Sequence, residues 1–516
     1  MKKYALLSVY DKTGIITLAK GLIEQGYTII STGGTAKVLE EQKIPFVPIQ
    51  EITGNPESFD GRMKTISFQI ESGILFDRSN PQHVKEAEKL NIKPIDIVVC
   101  NLYPFEQTIA KGASFEEAVE NIDVGGPTMV RAAAKNHKNV LVVVNPQDYQ
   151  RVLDELRNTI VTPNFRKELA AKAFNHLTFY DSQIANYLRE PGEFPREITI
   201  PGRKLVDLRY GENPHQQGAV YVRPGFNSSL QHLEKKWGRE LSLINVTDIN
   251  AGLESVRLFT EPAAAVIKHN SPSGVALGST PEQALKRAIE ADPESAFGGI
   301  IVLNRPMDMA AAKAIGEFKD ERRGNIDIVG VPVIEPDALE FLQKVRKTMG
   351  IYTFGEIPQA LDPYNIKWID GGFIWQTADI NIEENFKDWK VVTKKQPTEK
   401  QMQQMRTAWK FVSRIKSNSV IIVDENLPMT RGIGSGQTSR VRSTKIALEQ
   451  AGDLAKNGIM ASDSFFPFAD SVEAAAKKGI AAIVQQGGSI NDAASIAEAD
   501  KHGIIMVFTG RRAFWH

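Results

Sequence analysis

Short apolar runs alternate with segments of helical spacing through the first part of the chain. Four of these runs predict buried strands: residues 4–9, 27–30, 95–101 and 140–144. The amphipathic segments predict helices at about residues 11–25, 36–42, 83–90, 114–121 and 128–136. Strands that alternate with helices predict an α/β fold whose parallel sheet is covered on both faces.

The pattern changes near residue 200. Helical spacing from about 150 to 189 gives way to a segment rich in proline and glycine, from Pro191 to Gly202. We therefore predict a first domain at 1–198 and a larger part at 199–516. That part contains two blocks, at about 201–375 and 376–516. Both blocks have apolar strands followed by glycine turns, which hints at a duplication without a clean repeat.

Composition and charge narrow the functional classes. The 516 residues include 62 acidic and 62 basic side chains, so no excess of positive charge predicts nucleic-acid binding. The single cysteine, Cys100, excludes an internal disulfide framework and suits a reducing compartment. Apolar runs stay below the ~18 residues of a membrane span, and the N-terminus lacks a signal-peptide pattern. We expect a cytoplasmic protein that binds neither nucleic acid nor membrane.

Two proton-handling side chains, Lys268 and His269, end the apolar run 263–267, and the sequence Ser-Pro-Ser-Gly that follows predicts a turn. Ligands of open α/β sheets bind beyond the carboxyl ends of the strands. The pair is therefore a candidate catalytic site. An exposed Lys-His pair in an ordinary loop is an equally good interpretation of these residues alone.

A second candidate site lies at residues 31–35, Ser-Thr-Gly-Gly-Thr, between a predicted strand and a predicted helix. Glycines let the backbone approach a ligand, and the N–H groups and dipole of a helix N-terminus favour an anion. The double glycine between hydroxyl residues favours phosphate binding over an ordinary strand-to-helix turn.

The second part contains three further polar segments. Two of them allow both a structural and a ligand-binding interpretation, and the third excludes a dinucleotide-binding site. Residues 208–216 are either a ligand-facing loop or a hydrogen-bonded structural loop. Residues 432–440 predict a glycine-rich turn whose spacing excludes a dinucleotide fingerprint. The aromatics of residues 462–468 are either a hydrophobic corner or a slot for a flat heteroaromatic ligand. The histidines lack an HExxH pattern and one cysteine cannot form a thiolate zinc site, so we expect metal-free group transfer.

Many short motifs, in the same order, resemble one family along nearly the whole chain. They are SVYDKTG, ISTGGTAKVL, DGRMKT, NLYPFEQT, IDVGGPTMVRAAAKNH, LRYGENPHQ, INVTDINA, KHNSPSGVA, SAFGGIIVLNRP, DGGFIWQTAD, KSNSV, GIGSGQTSR and SDSFFPFAD. The family is the bifunctional purine-biosynthesis protein, which joins an inosine monophosphate cyclohydrolase to a phosphoribosylaminoimidazolecarboxamide formyltransferase. The resemblance implies a methylglyoxal-synthase-like parallel-sheet domain, then two cytidine-deaminase-like α/β units without zinc, and a homodimer.

For the formyltransferase, the resemblance implies 10-formyltetrahydrofolate as cosubstrate and 5-aminoimidazole-4-carboxamide ribonucleotide as acceptor. The amine is a poor nucleophile and needs a general base and a stabilised oxyanion. His269 is the implied base, Lys268 stabilises charge or protonates the departing folate nitrogen, and Asn418 orients the formyl oxygen. The implied nucleotide-binding residues are Arg209, Tyr210, Phe297, Asp327, Arg440, Phe465 and Arg512. The implied folate-binding residues are Val441, Phe468, Asp470, Ser489 and Ile490.

For the cyclohydrolase, the resemblance implies ring closure without a cofactor, in which tethering of the reacting groups supplies much of the rate. The implied catalytic residues are Lys64, Tyr103, Asp123 and Lys135. The implied nucleotide-binding residues are Lys12, Thr32, Gly33, Gly34, Thr35, Arg62, Thr65 and Asn101.

One segment departs from the family pattern, which usually reads GRVKTLHPKIHGG. Ser67 and Glu71 stand where the pattern has histidines, and Phe68 stands where it has proline. We expect Glu71 to place a carboxylate beside Lys64 and to favour its ammonium form. The departure leaves two alternatives open: a monofunctional formyltransferase whose N-terminal domain binds nucleotide without catalysis, and a non-catalytic effector-binding protein.

Overall fold

The computed structural model describes residues 2–59, 61–158, 161–190, 192–322, 324–358 and 362–516. Asp60 of the DGRMKT motif and Pro191 of the predicted linker lie outside these residues. The chain forms two compact units. The N-terminal unit comprises Met1–Arg203 and Arg223–Gly225, and the C-terminal unit comprises Lys204–Val222 and Phe226–His516.

The N-terminal unit contains a five-stranded parallel sheet of order β3-β2-β1-β4-β5. Its strands are β1 (Lys3–Leu7), β2 (Tyr27–Ser31), β3 (Val47–Pro48), β4 (Ile95–Val99) and β5 (Leu141–Val143). Its helices are α1 (Ile15–Glu24), α2 (Gly33–Glu41), α3 (Ile49–Thr53), α4 (Phe68–Leu75), α5 (Pro81–Lys89), α6 (Phe105–Ala110), α7 (Phe115–Glu120), α8 (Gly125–Lys135), α9 (Tyr149–Arg157) and α10 (Pro163–Leu188). Separate apolar cores lie on the two faces of the sheet, as predicted for strands with continuous apolar runs.

The C-terminal unit begins with a two-stranded sheet, β6 (Arg203–Asp207) and β7 (Ala219–Val222), and continues with a six-stranded mixed sheet of order β10-β9-β11-β12-β13-β8. The strands of this first mixed sheet are β8 (Glu234–Trp237), β9 (Ala263–Lys268), β10 (Ser271–Leu277), β11 (Gly299–Leu303), β12 (Ile326–Val331) and β13 (Gly350–Thr353). Its helices are α11 (Leu243–Val256), α12 (Pro281–Ala291), α13 (Pro293–Ala296), α14 (Met309–Arg322) and α15 (Pro336–Val345).

A hairpin of β14 (Tyr364–Ile369) and β15 (Gly372–Thr377) precedes a second mixed sheet of order β16-β21-β20-β19-β17-β18. Its strands are β16 (Lys390–Val391), β17 (Val420–Val423), β18 (Thr430–Gly434), β19 (Ile459–Ser462), β20 (Ala482–Gln485) and β21 (Ile505–Phe508). Its helices are α16 (Glu399–Val412), α17 (Arg440–Ala451), α18 (Asp470–Lys477) and α19 (Asp492–Lys501).

The two mixed sheets have the same topology. In each, the second strand in sequence pairs antiparallel with the third and fourth, the fourth to sixth pair parallel, and the first pairs antiparallel with the last. Helix α11 precedes β9 as α16 precedes β17, and one large core contains apolar residues of both halves. The duplication that the sequence only hinted at is therefore present in the fold.

Of two predicted turns, Ser-Pro-Ser-Gly is a strand in the structure, and that prediction was wrong. The turn predicted at 432–440 is a strand only at its start, because β18 ends at Gly434 and residues 435–439 form a loop. The Ser-Pro-Ser-Gly segment belongs to β10, an edge strand with a register shift between Pro272 and Gly274, where a proline without an N–H is tolerated. Gly432 and Gly434 belong to β18. A Cβ atom at Gly274 would lie 2.1 Å from Ala288 O, and one at Gly432 2.0 Å from Ala447 O. These glycines allow close contact between strand and helix.

We predict that fragments 1–198 and 1–203 both fold, because the N-terminal unit has its own sheet and cores. The longer fragment should be more stable by about 1–2 kcal/mol, because it retains two further interactions. Ser182 Oγ donates to Thr199 Oγ1 at 2.7 Å, and Arg203 forms a 2.8 Å ion pair with Glu106. Far-UV circular dichroism and urea unfolding of both fragments would measure this. A soluble but unfolded 1–203 would contradict the prediction.

Two candidate active sites

The first candidate site lies beyond the carboxyl ends of β1, β2 and β4, at the N-terminus of α2. Gly33, with a φ of 54°, opens this helix. A Cβ atom at Gly33 would lie 2.6 Å from Lys64 Nζ, and one at Gly34 would lie 3.4 Å from Lys12 Nζ. Two ammonium groups thus flank the free N–H groups of a helix N-terminus, an arrangement that favours a phosphate or another anion.

Three further residues predicted for this site differ in their freedom to bind. The Thr32 hydroxyl is buried and has no hydrogen-bond partner among the described residues. The Thr35 hydroxyl is already engaged, since it donates to Val9 O at 3.0 Å and accepts from Val9 N at 2.9 Å. The Asn101 amide holds the loop after β1, because its Oδ1 accepts from the N–H groups of Tyr10 and Asp11.

The two basic residues of the DGRMKT motif are each paired with a carboxylate. Lys64 Nζ lies 3.1 Å from Glu57, and Arg62 forms an exposed ion pair with Glu120. The expectation that Glu71 supplies the carboxylate beside Lys64 was wrong. Helix α4 begins after Ser67, whose Oγ accepts from Ile70 N, and Glu71 lies in its first turn with a buried oxygen that has no partner.

Tyr103 and Asp123 lie together in the loops after β4 and α7. Gly126 N donates to Asp123 Oδ1 at 2.9 Å, and burial raises the pKa of the Asp123 carboxyl. Burial and the nearby Asp123 charge also raise the pKa of the Tyr103 hydroxyl. Thr65 adjoins the same helix start, because a Cβ atom at Gly125 would lie 2.4 Å from its Oγ1. The arrangement places Tyr103 and Asp123, two predicted catalytic residues, beside the loop that contains Lys64.

Lys135 is not brought to this position within one chain. It is the last residue of α8, whereas Asp123 adjoins the first turn of the same helix. At 1.5 Å per residue, the helix places the two ends about 15 Å apart.

We predict that Glu71→Gln stabilises the protein increasingly as the pH rises. Burial raises the pKa of Glu71 from the ordinary 4.5 to about 7. Between these pH values the carboxyl ionises in the unfolded chain but stays protonated in the folded protein, so the wild type loses stability as the pH rises. The neutral glutamine avoids this loss, which should give a gain of roughly 1 kcal/mol above pH 7. Urea unfolding at about pH 5 and about pH 8 would measure it, with the exposed Glu88→Gln as control. A gain that is equal at both pH values would contradict the prediction.

The second candidate site is at the β9–β10 turn. Ser271 pairs with Lys268, which leaves His269 and Asn270 as the two residues of a tight hairpin turn with φ values of 55° and 61°. Positive φ at both positions is characteristic of a type I′ turn. The His269 side chain is exposed, and Lys268 Nζ donates to Phe297 O at 3.0 Å. The predicted base and the predicted oxyanion-stabilising cation thus occupy the tip of one hairpin.

The loop that contains Asn418 is connected to this turn through the other half of the duplication. Ser271 Oγ lies 3.0 Å from Ser435 Oγ, directly after β18. Ser435 Oγ and Gly436 N both donate to Lys416 O. Asn418 Nδ2 in turn donates to Gln437 O at 2.9 Å. These contacts connect the His269 turn and the Asn418 loop within one chain.

Arg440 lies behind Asn418 rather than on an open surface. Arg440 Nη2 donates to Asn418 Oδ1 at 2.7 Å, and Nη1 forms a buried ion pair with Asp463. Asp463 also accepts from Ser417 Oγ and Ser419 N. Both ends of the Asn418 amide are therefore fixed, and Arg440 is placed to orient it.

An open cleft of about 810 Å³ adjoins Arg209 in the C-terminal unit. Five basic side chains line it: Arg209, Lys235, Lys236, Arg239 and Lys347. Arg209 stacks on the Tyr210 ring at 4.6 Å and donates to its hydroxyl, and Asp327 forms a 2.9 Å ion pair with Arg239. Lys235 and Lys236 are likewise paired, with Glu240 and Glu234. Five basic groups against these three carboxylates leave a small net positive charge, which favours a phosphorylated ligand at this cleft.

The remaining predicted residues lie in the loop between α13 and β11 and in the loops or helix starts that follow β18, β19, β20 and β21. Phe466 is fully buried in the core, as in a hydrophobic corner, whereas Phe465 is half-buried and Phe468 is exposed. The structure therefore leaves the rings of Phe465 and Phe468 accessible, as a ligand slot would require. Asn491 Nδ2 donates to Pro467 O at 2.7 Å, which brings the loop of Ser489 and the exposed Ile490 beside Phe468. The others are Phe297, Val441, Asp470 and Arg512, all at least partly exposed.

Sequence reasoning assigned no role to several residues that adjoin these sites. Glu57 and Glu120 pair with the predicted cations, and Asp248 on α11 accepts a hydrogen bond from Asn270 N at 2.6 Å. Only the presence of Asp248 in the INVTDINA motif could have marked it. Among the described residues, His, Cys, Asp and Glu side chains form no group of three that could hold a metal ion. The described helices also include none long and apolar enough to cross a membrane.

Comparison with known proteins agrees with this architecture. The family model described as AICARFT/IMPCHase bienzyme matches residues 133–450, and the MGS-like domain model matches residues 14–128. The chain is similar to the bifunctional purine biosynthesis protein PurH of Bacillus mycoides, with 46% identity over 522 residues, and of Persephonella marina, with 44% over 526 residues. Both comparisons cover 100% of each chain. The crystal structure of ForH is 33% identical with a TM-score of 0.33, covering 36% of this chain and 99% of its own.

These matches confirm the predicted α/β class, with its methylglyoxal-synthase-like first domain, and the resemblance that the motifs indicated. They also require a folate-type one-carbon cosubstrate and small-molecule substrates. By a family model that matches more than half of its residues and by full-length relatives, the chain belongs to the AICARFT/IMPCHase bienzyme family.

Proposed function

We propose that this bifunctional formyltransferase and cyclohydrolase of purine biosynthesis divides its two reactions between its two compact units. The C-terminal unit transfers a formyl group from 10-formyltetrahydrofolate to the amine of 5-aminoimidazole-4-carboxamide ribonucleotide. The N-terminal unit closes the ring of the product to inosine monophosphate and releases water. The main support is the separation of two polar constellations, one around Lys64 and one around His269, into different units.

In formyl transfer, His269 takes a proton from the aromatic amine as its nitrogen attacks the formyl carbon. Asn418 orients the formyl oxygen, since its amide is fixed by Arg440 and the backbone. Lys268 stabilises the developing negative charge and protonates the departing folate nitrogen. A hairpin tip suits this role because it presents both side chains beyond the sheet.

The nucleotide phosphate binds in the cleft of five basic residues, with Arg209 and Tyr210 at its edge and Asp327 beside it. Phe297, Phe465 and Arg512 complete the nucleotide site. The folate binds where the exposed Phe468 and Ile490 offer apolar surface beside the helix starts of Val441 and Asp470 and the loop of Ser489.

In ring closure, the carboxamide nitrogen attacks the tethered formyl carbon, so proximity supplies much of the rate. Lys64 stabilises the negative charge that develops on the formyl oxygen. Tyr103 and Asp123 transfer protons between the nitrogen and the departing water, since their perturbed pKa values mark an acid–base pair. The phosphate binds at the α2 N-terminus: the N–H groups of Gly33, Gly34 and Thr35 and the Thr32 hydroxyl lie there, with Lys12, Arg62, Thr65 and Asn101 around them.

The proposal includes a cytoplasmic homodimer whose chemistry needs no metal. Both reactions require only proton transfer and charge stabilisation, which the named side chains provide. A second copy explains the position of Lys135, because this residue cannot reach Asp123 along its own helix. The exposed Trp368, Ile369 and Ile374 of the β14–β15 hairpin offer apolar surface for such a contact.

Two assays on the purified protein test the division of labour. One follows folate turnover by absorbance with the amine nucleotide as acceptor, and the other follows cyclisation of added formamido nucleotide. Full-length similarity to bifunctional relatives does not favour a monofunctional formyltransferase. Folate turnover without enzymatic cyclisation would nevertheless establish that alternative and refute the role of Lys64.

A further inference from the structure

Asp248, on α11, faces the turn that presents His269. Its side chain is 4% exposed, and its carboxylate accepts from Asn270 N at 2.6 Å. In the amide orientation that its neighbours require, Asn270 Nδ2 lies 3.1 Å from Asp248 Oδ1 and 2.8 Å from Thr247 Oγ1. Helix α11 therefore holds the turn through the backbone and the side chain of Asn270.

The turn has a reason to need this support. His269 and Asn270 both have positive φ, a region that residues other than glycine adopt infrequently, and the pair lacks the glycine that type I′ turns usually contain. A buried acceptor on a neighbouring helix can compensate for a sequence that does not favour the turn by itself. Without it, we expect the His269 side chain to lose its fixed position.

The duplicated half provides an internal comparison. Gln404 occupies the same position of α16 as Asp248 of α11, and it precedes Asp424 by the separation at which Asp248 precedes Lys268. Gln404 Nε2 donates to Asp424 O at 3.0 Å and to Leu427 O at 2.9 Å, so it holds the β17–β18 turn. A neutral amide is thus enough to hold the turn in the half that has no histidine there. In the half that contains His269, the equivalent residue has a carboxylate.

A charge at position 248 is costly to bury, which makes the contrast informative. Burial raises the pKa of the Asp248 carboxyl, and the Asn270 N–H and the electrostatic attraction of His269 and Lys416 oppose that rise. These two are the titratable groups that interact with it, one on the turn and one on the Asn418 loop. This attraction between a carboxylate and a neighbouring imidazole stabilises the imidazolium that forms when the ring accepts a proton.

We infer that Asp248 is a positioning residue for formyl transfer, which holds the His269 turn and stabilises His269 once it has taken the amine proton. The step is balanced: the nitrogen–formyl bond forms, the amine proton passes to His269, and the folate nitrogen leaves with a proton from Lys268. The inference rests on the proposed role of His269 as base.

Asp248→Asn in the full-length protein tests this inference. Asparagine keeps an acceptor for Asn270 N and removes the charge. We expect kcat for formyl transfer to fall at least about tenfold, KM for the nucleotide to stay within about threefold, and cyclisation to be unchanged. Gln404→Ala is the matched control in the other half, and it should lower stability without this selective fall in kcat.

A double-variant cycle distinguishes positioning from an independent effect. In a His269→Ala background, Asp248→Asn should cause no further loss of formyl transfer, because residues that act as a unit are not additive. In an Asp248→Ala background, Asn270→Gly should restore part of the activity, because glycine favours positive φ. Near wild-type kcat in Asp248→Asn, or an equal loss in both backgrounds, would overturn the inference. Activity retained by His269→Ala alone would instead refute the proposed base.

Discussion

Replacing His269 by alanine should lower the rate of formyl transfer by about 10²–10⁴-fold while cyclisation of added formamido nucleotide continues at the wild-type rate. The amine is conjugated to the imidazole carboxamide and cannot attack efficiently while it retains its proton. His269 is exposed at a hairpin tip, where it can reach that proton. The residues predicted for the cyclohydrolase belong to the other compact unit, so the loss should not extend to the second reaction.

Steady-state absorbance assays of both reactions would measure the effect. His502→Ala is a suitable control, because His502 is also exposed and bonds to Glu498 at the end of α19. It should retain both activities. Formyl transfer at near wild-type rate in the His269 variant would show that another group is the base.

Replacing Lys64 by alanine should lower the rate of cyclisation by about tenfold or more and leave formyl transfer unchanged. Lys64 Nζ adjoins Gly33 at the α2 N-terminus, where the helix dipole favours an anion, and it is paired with the carboxylate of Glu57. Lys64→Arg should retain part of the activity, because arginine keeps the charge and cannot act as a base. Tethering already supplies the geometry of attack, which leaves charge stabilisation as the main role.

Cyclisation of purified formamido nucleotide by the wild type and both variants would test this role. Lys37→Ala is the control, since Lys37 is exposed on α2, the helix whose N-terminus adjoins Lys64. An arginine variant as inactive as the alanine variant would overturn the electrostatic role. It would favour a role that requires the shape of lysine or its neutral amine.

The sequence predicted the N-terminal sheet well because continuous apolar runs between turn residues have few alternatives to buried strands. It also located Lys268 and His269 at a strand end. It misplaced the turn, because Ser-Pro-Ser-Gly carries a stronger turn signal than His-Asn, which contains neither proline nor glycine. Local propensity does not reveal the tertiary structure that decides this segment. It forms an edge strand with a bulge, which tolerates proline, and α12 lies close to Gly274.

The partners of charged groups were the least predictable part of the sites. Glu71 was expected beside Lys64 because it stands where the family pattern has a histidine, but Ser67 caps α4 and the helix places Glu71 in a buried environment. The carboxylate that pairs with Lys64 belongs instead to Glu57, which lies in the loop before the motif. Asp248 meets the His269 turn only through the packing of α11 on β9, so its spacing in sequence gives no signal. The site residues transferred from the family resemblance remain predictions until the variants are measured.

The edge strands of the two mixed sheets shield each other. Leu277 N donates to Pro428 O at 2.8 Å, Val275 N donates to Thr430 Oγ1 at 3.1 Å, and Ala276 bridges Met429. An uncovered edge is a template for pairing with other molecules and for aggregation. Separating the duplicated halves would uncover β10 and β18 together with part of their common core. We therefore expect either half, expressed alone, to aggregate, so the two halves of the duplication cannot serve as independent domains.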